Sequence, residues 1–294
     1  MEELNGIIAV NKEKGYTSHD VVNVVRRILG TRKVGHTGTL DPNAEGVLPV
    51  CVGKSTRVSD MLMFSDKEYV ATVQLGIVTD TYDIWGKIIE ERNVNVTNEE
   101  LKSAVEKFSG EIMQIPPMYS AIKQNGKKLY ELARSGIEVH RAPRRVVIYE
   151  SEILSFNGTE FSFRVKCSKG TYIRSLCSDI GEYLGCGACM TALTRTASSV
   201  FRIENSYTID QIEEIVKKNG ARAVLISPDS VFGGYEGITV TSAVRTRLLN
   251  GALSRVDIPL GTYRAYDPDG KFIGITEVFE GNKGHIIKII KSFC

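Results

Sequence analysis

The stretch VGHTGTLDPNAEGVLPVCVGKSTR, residues 34–57, is where the reading of this 294-residue chain is decided. Its ending, Gly53-Lys54-Ser55, invites a nucleotide-binding reading, and its Asp41-Pro42-Asn43 invites a turn. A phosphate loop needs a further glycine five positions before the glycine of GKS, so that the backbone can wrap the phosphates. Position 48 is Leu, and no clean strand leads into the run, so the phosphate-loop reading fails. The turn reading is stronger. Asp-Pro followed by Asn is good turn chemistry, and Pro42 fixes its own φ while biasing Asp41 toward extended backbone. A turn, however, does not ask for the whole of GHTGTLDPNAEGVLPV. Local chemistry leaves Asp41 open as either a turn-former or a functional carboxylate.

Outward from this stretch, NGIIAVNK reads as a short buried strand. SHDVVNVVRRILG reads as a helix, with Val21, Val24, Val25 and Ile28 at helical spacing and Gly30 at its stop. EYVATVQLG puts Ala71, Val73 and Leu75 on one face of a strand that Tyr69 begins. TNEELKSAVEKFSG opens with a capping box, Thr97 with Glu100, and carries Leu101, Ala104, Val105 and Phe108 as an apolar stripe ending at Gly110. EFSFRVKCSKG alternates Phe161, Phe163, Val165 and Cys167 inward against Ser162, Arg164 and Lys166 outward. It runs straight into a helix, TYIRSLCSDIGEYLG, with Thr171 as the expected N-cap and Ile173, Leu176, Cys177, Ile180 and Leu184 on the buried side. TIDQIEEIVKKNG is another capped helix, Thr208 with Gln211. From about residue 236 one short helix, TSAVRTRLLNG, is followed by strands around a DPDG turn, which reads as a small β-rich domain. The larger part mixes strands and helices without the strict alternation of a doubly wound fold. The expected class is α+β.

Composition sets the outer bounds. Hydrophobic residues at 42% and charged residues at 24% are ordinary for a soluble globular protein. The apolar runs fall far short of the ~20 residues that span a bilayer. The start, MEELNGIIAVNKEKG, has acids where a signal peptide needs positive charge. The expected location is the cytoplasm, with no membrane association. Of the six cysteines, Cys186 and Cys189 form a CxxC, but no second pair completes a zinc ligand set, so buried or incidental thiols are expected and no metal. The net charge of +2 is uninformative, yet residues 117–150 hold seven Lys or Arg against three acids, a local +4, with Tyr119, Tyr130 and Tyr149 among them. That pattern fits a phosphate-backbone footprint or a solvated charged hairpin equally well.

The residues then meet a known family. GHTGTLDPNAEGVLPVCVGKSTR closely resembles the main motif of the TruB-type tRNA pseudouridine-55 synthases, in which the aspartate of GTLDP, here Asp41, is the essential catalytic residue. NKEKGYTSHDVV resembles the opening DKPxGxTS segment, with Lys12, Gly15 and Ser18 matching and Asn11 and Glu13 departing from it. KEYVATVQLGIVTDTYDIWG is similar to the second motif, whose tyrosine is Tyr69. PPMYSAIKQNGKKLYELARSGIEV is similar to the RNA-clamping insertion, and CSKGTYIRSL to the motif whose arginine is Arg174. ALTRTASSVF, with Leu193, completes the ordered set of matching stretches across residues 6–201.

The resemblance implies a pseudouridine synthase domain over residues 1–233, built on a mixed, largely antiparallel sheet with the insertion at about 116–146, and a PUA-like RNA-binding domain over 234–294. The latter segment carries eight Lys or Arg against six acids, only mild support. The implied reaction breaks the N1–C1′ bond of a T-arm loop uridine, turns the base and joins C5 to C1′, with no cofactor. Positive charge develops at the sugar, and a carboxylate can stabilise it or bond to the carbon. One carboxylate suffices because the leaving base is recaptured. Whether Asp41 attacks C1′, attacks the base or removes a sugar proton stays open at this level.

Arg174 supports the reading independently. It falls in the first turn of its helix, where a cation faces the positive end of the dipole at a cost of ~0.3–1 kcal/mol. A nearby anion offsets that, and Asp41 is the partner the resemblance implies. The resemblance implies that Tyr69 is a catalytic residue, lying against the target base as a candidate for the proton transfer at C5, and that His36 enters the RNA loop and occupies space near the flipped base. Leu193 is expected on the apolar pocket wall. Lys12 and Tyr172 join the substrate-binding set, and Lys123, Arg134 and Arg141 are expected to grip flanking phosphates. The expected partner is the T-arm of tRNA, bound by a stand-alone monomer without guide RNA. The compact length and the immediate start at GIIAVNK argue against a guide-dependent synthase of the dyskerin type. The competing reading is a non-catalytic RNA-binding or tRNA-folding protein on the same scaffold. A carboxylate facing phosphates disfavours it.

Overall fold

The structure, a computed structural model, describes residues 4–124 and 126–293. Its centre is a nine-stranded sheet. Along the main path the order is Gly6–Lys12, Glu45–Val52, Ala188–Ser198, Lys67–Leu75, Glu160–Cys167, Arg144–Phe156 and Gly110–Gln114, with Val34–His36 and Phe201–Arg202 as side branches. All pairings are antiparallel except one. Ala188–Ser198 runs parallel to Glu45–Val52, with Thr194 opposite Glu45 and Arg195 opposite Gly46. The α+β expectation therefore holds, and so does the largely antiparallel sheet.

Alternation explains the strand faces. Lys67–Leu75 buries every second side chain, including Tyr69, Ala71, Val73 and Leu75, and Glu160–Cys167 buries Phe161, Phe163, Val165 and Cys167 as the pattern predicts. These residues meet the helices Asn98–Lys107 and Ile173–Tyr183 in one core. Gly6–Lys12 and Glu45–Val52 are apolar on both faces because both are covered. Ile8 and Val10 face the helices Ser18–Leu29 and Ile209–Asn219, while Ile7 and Ala9 face Val58, Leu62, Phe201 and Val231.

Local signals hold with small displacements. The capping boxes Thr97–Glu100 and Thr208–Gln211 form, and Gly30 ends the first helix in the left-handed region. That helix buries Val21, Val22, Val25 and Leu29, whereas Val24 and Ile28 lie at the edge of its core. Tyr69 is the third residue of its strand, which begins at Lys67. The N-cap before Arg174 is Tyr172 and not Thr171, whose hydroxyl turns back to the Ser168 carbonyl at 2.9 Å. Tyr172 is instead fixed from outside the helix: Gln114 accepts its N–H at 2.7 Å and donates to its carbonyl at 3.0 Å.

The β-rich domain is present. Glu236–Thr239, Gly261–Tyr266, Phe272–Gly281, Gly284–Ser292 and Ser254–Arg255 form a second sheet in that order, beside the helix Ser242–Leu249. Its DPDG turn is closed by Asp267, which accepts from the backbone of Asp269 and Lys271. It docks on the larger sheet. Ile275 packs into the core around Ile7, Arg57 donates to the Ser292 carbonyl at 3.0 Å, and Lys291 pairs with Asp60 at 2.7 Å. The GKS of the opening stretch is thus the 3-10 turn Gly53–Val58 that carries Arg57 to this junction.

Candidate active site

Asp41 sits at the tip of the loop between Val34–His36 and Glu45–Val52. The Asp-Pro turn forms, Ala44 donating to the Asp41 carbonyl at 3.1 Å. Its flanks are clamped to the start of the first helix. Ser18 exchanges two hydrogen bonds with Leu40, and Gly15 donates to the Pro42 carbonyl at 2.9 Å. The backbone is held while the carboxylate stays free: the Asp41 side chain is 43% exposed. The turn and the functional carboxylate are one device.

Lys12 is a correction. The resemblance made it a substrate ligand, but its side chain is fully buried and its ammonium donates to the carbonyls of Glu13, Tyr16 and Pro42 at 2.8–3.2 Å. Burial pushes its pKa down to about 8, against the pull of Asp41 and Glu45. It buttresses the Asp41 loop from behind.

Arg174 is buried, and its guanidinium reaches three segments at once. Nε meets Asp41 Oδ2 at 2.9 Å, one terminal nitrogen donates to the Thr81 carbonyl at 3.1 Å, and the other to the Tyr119 carbonyl at 2.8 Å. Asp83 Oδ2 lies 3.6 Å away. The expected Asp41–Arg174 pair is present, and a second carboxylate joins it. Burial raises the Asp83 pKa, while Thr81 and Arg174 oppose the rise. Asp83 stands in the TDTYDIWG run quoted above, but nothing local separates it from Asp80 three residues earlier. Only the tertiary contact does.

Tyr69 lies on the central strand directly opposite Arg195 and Val165. Burial pushes its phenol up, and the Arg195 guanidinium, hydrogen-bonded to it, pulls the other way. Arg195 is the residue the sequence did not reveal. It is 1% exposed, donates to the Val47 carbonyl at 2.7 Å and reaches the Gly38 carbonyl at 3.4 Å. It has no carboxylate partner among the described residues. Gly46 makes this arrangement possible. Its φ is +103°, and a Cβ there would stand 2.3 Å from the Arg195 carbonyl oxygen.

His36 is half-buried beside this group, its Nδ1 accepting from Gly38 N–H at 3.3 Å. Burial and the Arg195 charge lower its pKa, so the ring is neutral at pH 7. Leu193 is buried two residues before Arg195, opposite Ala71, and forms part of the core wall. Tyr172 is half-buried close to Arg174 and Arg144, its phenol pushed up by burial.

The insertion folds as a short hairpin, Lys123–Gln124 with Lys127–Lys128, and a helix Leu129–Arg134; the main sheet resumes at Arg144. Lys123 and Arg134 are exposed, and Arg134 rests over the Tyr130 ring at 5.5 Å. Arg141 differs from its expected role. It is largely enclosed, bonded to the Pro116 carbonyl at 3.3 Å and to Glu138 at 3.0 Å, so it ties the insertion's two ends together. Cys186 and Cys189 are buried free thiols, with Cys189 pushed up to about 11 by burial. No group of three His, Cys, Asp or Glu that could hold a metal occurs among the described residues.

The site therefore presents one accessible carboxylate on a rigid loop, a buried arginine fork that orients it, and a buried phenol beside a second arginine. Such a site can hold a planar base against Tyr69 while the carboxylate meets an electron-poor centre. Comparison with known proteins gives the same direction. The profile of the TruB family pseudouridylate synthase N-terminal domain matches residues 26–173, and that of the tRNA pseudouridylate synthase B C-terminal domain matches residues 174–230. The tRNA pseudouridine synthase B of Alkaliphilus oremlandii is 45% identical over 98% of this chain and 97% of its own length. That of Clostridium novyi is 47% identical over 92% of this chain and 95% of its own length. Among solved structures, a chain of an H/ACA ribonucleoprotein bound to a substrate RNA containing 2′-deoxyuridine is similar with a TM-score of 0.74 at 25% identity, covering 98% of this chain and 85% of that one. A chain of a Cbf5–Nop10–Gar1 complex is similar with a TM-score of 0.75 at 26% identity and the same coverage.

Proposed function

The chain belongs to the TruB family of pseudouridylate synthases, and from that premise we propose that it converts the T-arm loop uridine at position 55 of tRNA to pseudouridine. It is an isomerase. The N1–C1′ bond of the uridine breaks, the uracil turns, C5 bonds to C1′, and the proton lost from C5 is balanced by one gained at N1. The observation that carries the reading is the accessible Asp41 carboxylate, 2.9 Å from the buried Arg174, whose terminal nitrogens are held by the Thr81 and Tyr119 carbonyls.

Asp41 meets the positive charge that develops as the glycosidic bond breaks, and Arg174 fixes its direction. The phenol of Tyr69, pushed up by burial, stays protonated and offers the uracil a packing face. Neutral His36 fills the gap left in the RNA loop without needing a charge. Leu193 and Tyr172 bound the base pocket. The exposed Lys123 and Arg134 sit on the insertion where phosphates flanking an extruded base would pass. We place the catalytic domain at residues 1–233 and a PUA-like RNA-binding domain at 234–294; of these, residues 1–3, 125 and 294 lie outside the described structure. The protein acts as a monomer on tRNA without a guide RNA, in the cytoplasm. Among the described residues no helix is long and apolar enough to cross a membrane.

The test is incubation of an unmodified T-arm stem-loop with the pure protein alone, followed by chemical mapping of pseudouridine. Wild type is expected to modify one loop uridine, and Asp41→Ala to bind the RNA within a few-fold but form no product. Absence of product with wild type overturns the stand-alone activity, and product with Asp41→Ala overturns the role of the carboxylate.

A further inference from the structure

The only tryptophan of the chain, Trp85, is 48% exposed. Its indole takes part in no ring–ring or cation–ring contact among the described residues. A single exposed apolar side chain is ordinary, but this one is presented in an unusual way. It stands at the tip of a turn that is pinned at every position. Asp80 and Lys87 exchange two hydrogen bonds of 2.8 and 3.1 Å, Ile84 donates to the Met190 carbonyl at 2.9 Å, and Gly86 donates to the Asp83 carbonyl at 3.2 Å. Trp85 itself donates its backbone N–H to Asp83 Oδ1 at 3.2 Å. Gly86 admits no larger residue, since a Cβ would stand 2.2 Å from Thr81 Oγ1.

The same turn is part of the active site. Thr81 accepts from Arg174 through its carbonyl, and the other oxygen of Asp83 pairs with the same guanidinium. One carboxylate thus holds the catalytic arginine on one side and the tryptophan backbone on the other. The exposed Lys87 follows two residues later. An exposed aromatic side chain on a pinned backbone turn, with a lysine two residues on and continuous with the site that receives an extruded uridine, matches the needs of one occupant. When a base leaves its stack, its neighbours lose a partner, and aromatic side chains replace it in single-stranded RNA recognition.

We propose that Trp85 is a stacking platform for an unpaired nucleobase of the substrate RNA next to the uridine entering the Asp41 site. The platform rests on the tRNA-modifying reading above. Because its backbone is held before binding, only the side-chain torsions of the indole remain to be ordered in the stack. Its contribution is to RNA binding and not to bond breaking, so it belongs in KM.

Because the chain has one tryptophan, its emission reports on this position alone. Titration of the full-length protein with an unmodified T-arm stem-loop is expected to quench that emission in a saturable way. Trp85→Ala is expected to weaken RNA binding about 5- to 150-fold and raise KM, with kcat at saturating RNA unchanged. Trp85→Phe, which keeps a ring, should stay within about threefold of wild type; equal losses in Phe and Ala variants would indicate disturbed folding and overturn the stacking assignment. Wild type that forms pseudouridine with no change in emission, or Trp85→Ala with unchanged affinity, overturns the inference and leaves the enzyme reading intact. Wild type that neither binds nor modifies the RNA overturns both. Emission that changes with protein concentration before RNA is added would show the indole covered by a second copy, which also overturns it.

Discussion

Replacing Arg174 by Met removes a buried cation from between two carboxylates of different exposure. Asp41 can turn toward water, but Asp83, whose side chain is only 14% exposed, cannot. Removing one partner from a buried ion pair costs about 3–5 kcal/mol, chiefly through the charge left behind. The Thr81 and Tyr119 carbonyls also lose their donor. At ~2–4 °C per kcal/mol for a chain in this size range, Arg174→Met should melt roughly 6–20 °C below wild type near pH 8. The sign of the pH dependence follows from Asp83, whose folded-state pKa already lies above its ordinary value because of burial. A carboxyl with a raised folded pKa holds its proton more tightly when folded, so stability falls as pH rises through the interval between the two values. Loss of Arg174 extends that interval upward. The deficit should therefore shrink toward pH 5, where Asp83 can protonate. The double variant Arg174→Met/Asp83→Asn should recover most of the lost stability, since Asn keeps an oxygen for the Thr81 hydroxyl and the Trp85 N–H. It should not recover pseudouridine formation, because Asp41 is then unoriented, a loss of about 10² or more in rate. Differential scanning fluorimetry at several pH values, with a single-turnover assay, decides the matter. A pH-independent deficit, or a double variant no more stable than the single, would refute the assignment of the cost to Asp83.

Two further outcomes follow from the same geometry. Gly46→Ala places a methyl group 2.3 Å from the Arg195 carbonyl at a φ of +103°; it should cost at least ~3 kcal/mol, seen as a large drop in melting temperature or loss of soluble protein. His36 carries a pKa lowered by burial and by Arg195, so the unfolded chain takes up its proton first and acidification below about pH 6.5 erodes stability. His36→Gln should flatten that acid limb in melts from pH 5 to 7, and an unchanged limb would assign it to another group.

The parts of the site that local chemistry controls were legible. The Asp-Pro turn follows from Pro42 and Asn43, and a cation in the first turn of a helix pointed from Arg174 to a missing anion. The long amphipathic segments and their caps were equally plain, because a helix or strand face repeats within a few residues. Pairwise tertiary facts were not. Arg195 opposes Tyr69 only through a sheet register that includes a bulge just past Arg195. Asp83 differs from Asp80 only in what lies above it. Lys12 and Arg141 read as ligands because a motif gives a residue's identity but not its burial; both lysine and arginine stems can turn a charge inward when backbone carbonyls wait there.

The one parallel pairing in the large sheet has a consequence for how the protein is born. Ala188–Ser198 inserts between Glu45–Val52 and Lys67–Leu75, so strands close in the chain are kept apart until a late one arrives. At ribosomal speeds of ~5–20 residues per second, roughly 7–30 s separate synthesis of Val52 from that of Ser198. Until Ala188–Ser198 arrives, the Lys67–Leu75 strand lacks the neighbour it pairs with from end to end, and Asp41 and Tyr69 belong to pieces that do not yet touch. A nascent or truncated chain ending before Ser198 is therefore both inactive and sticky, and the catalytic centre comes into being only when its last strand closes the gap.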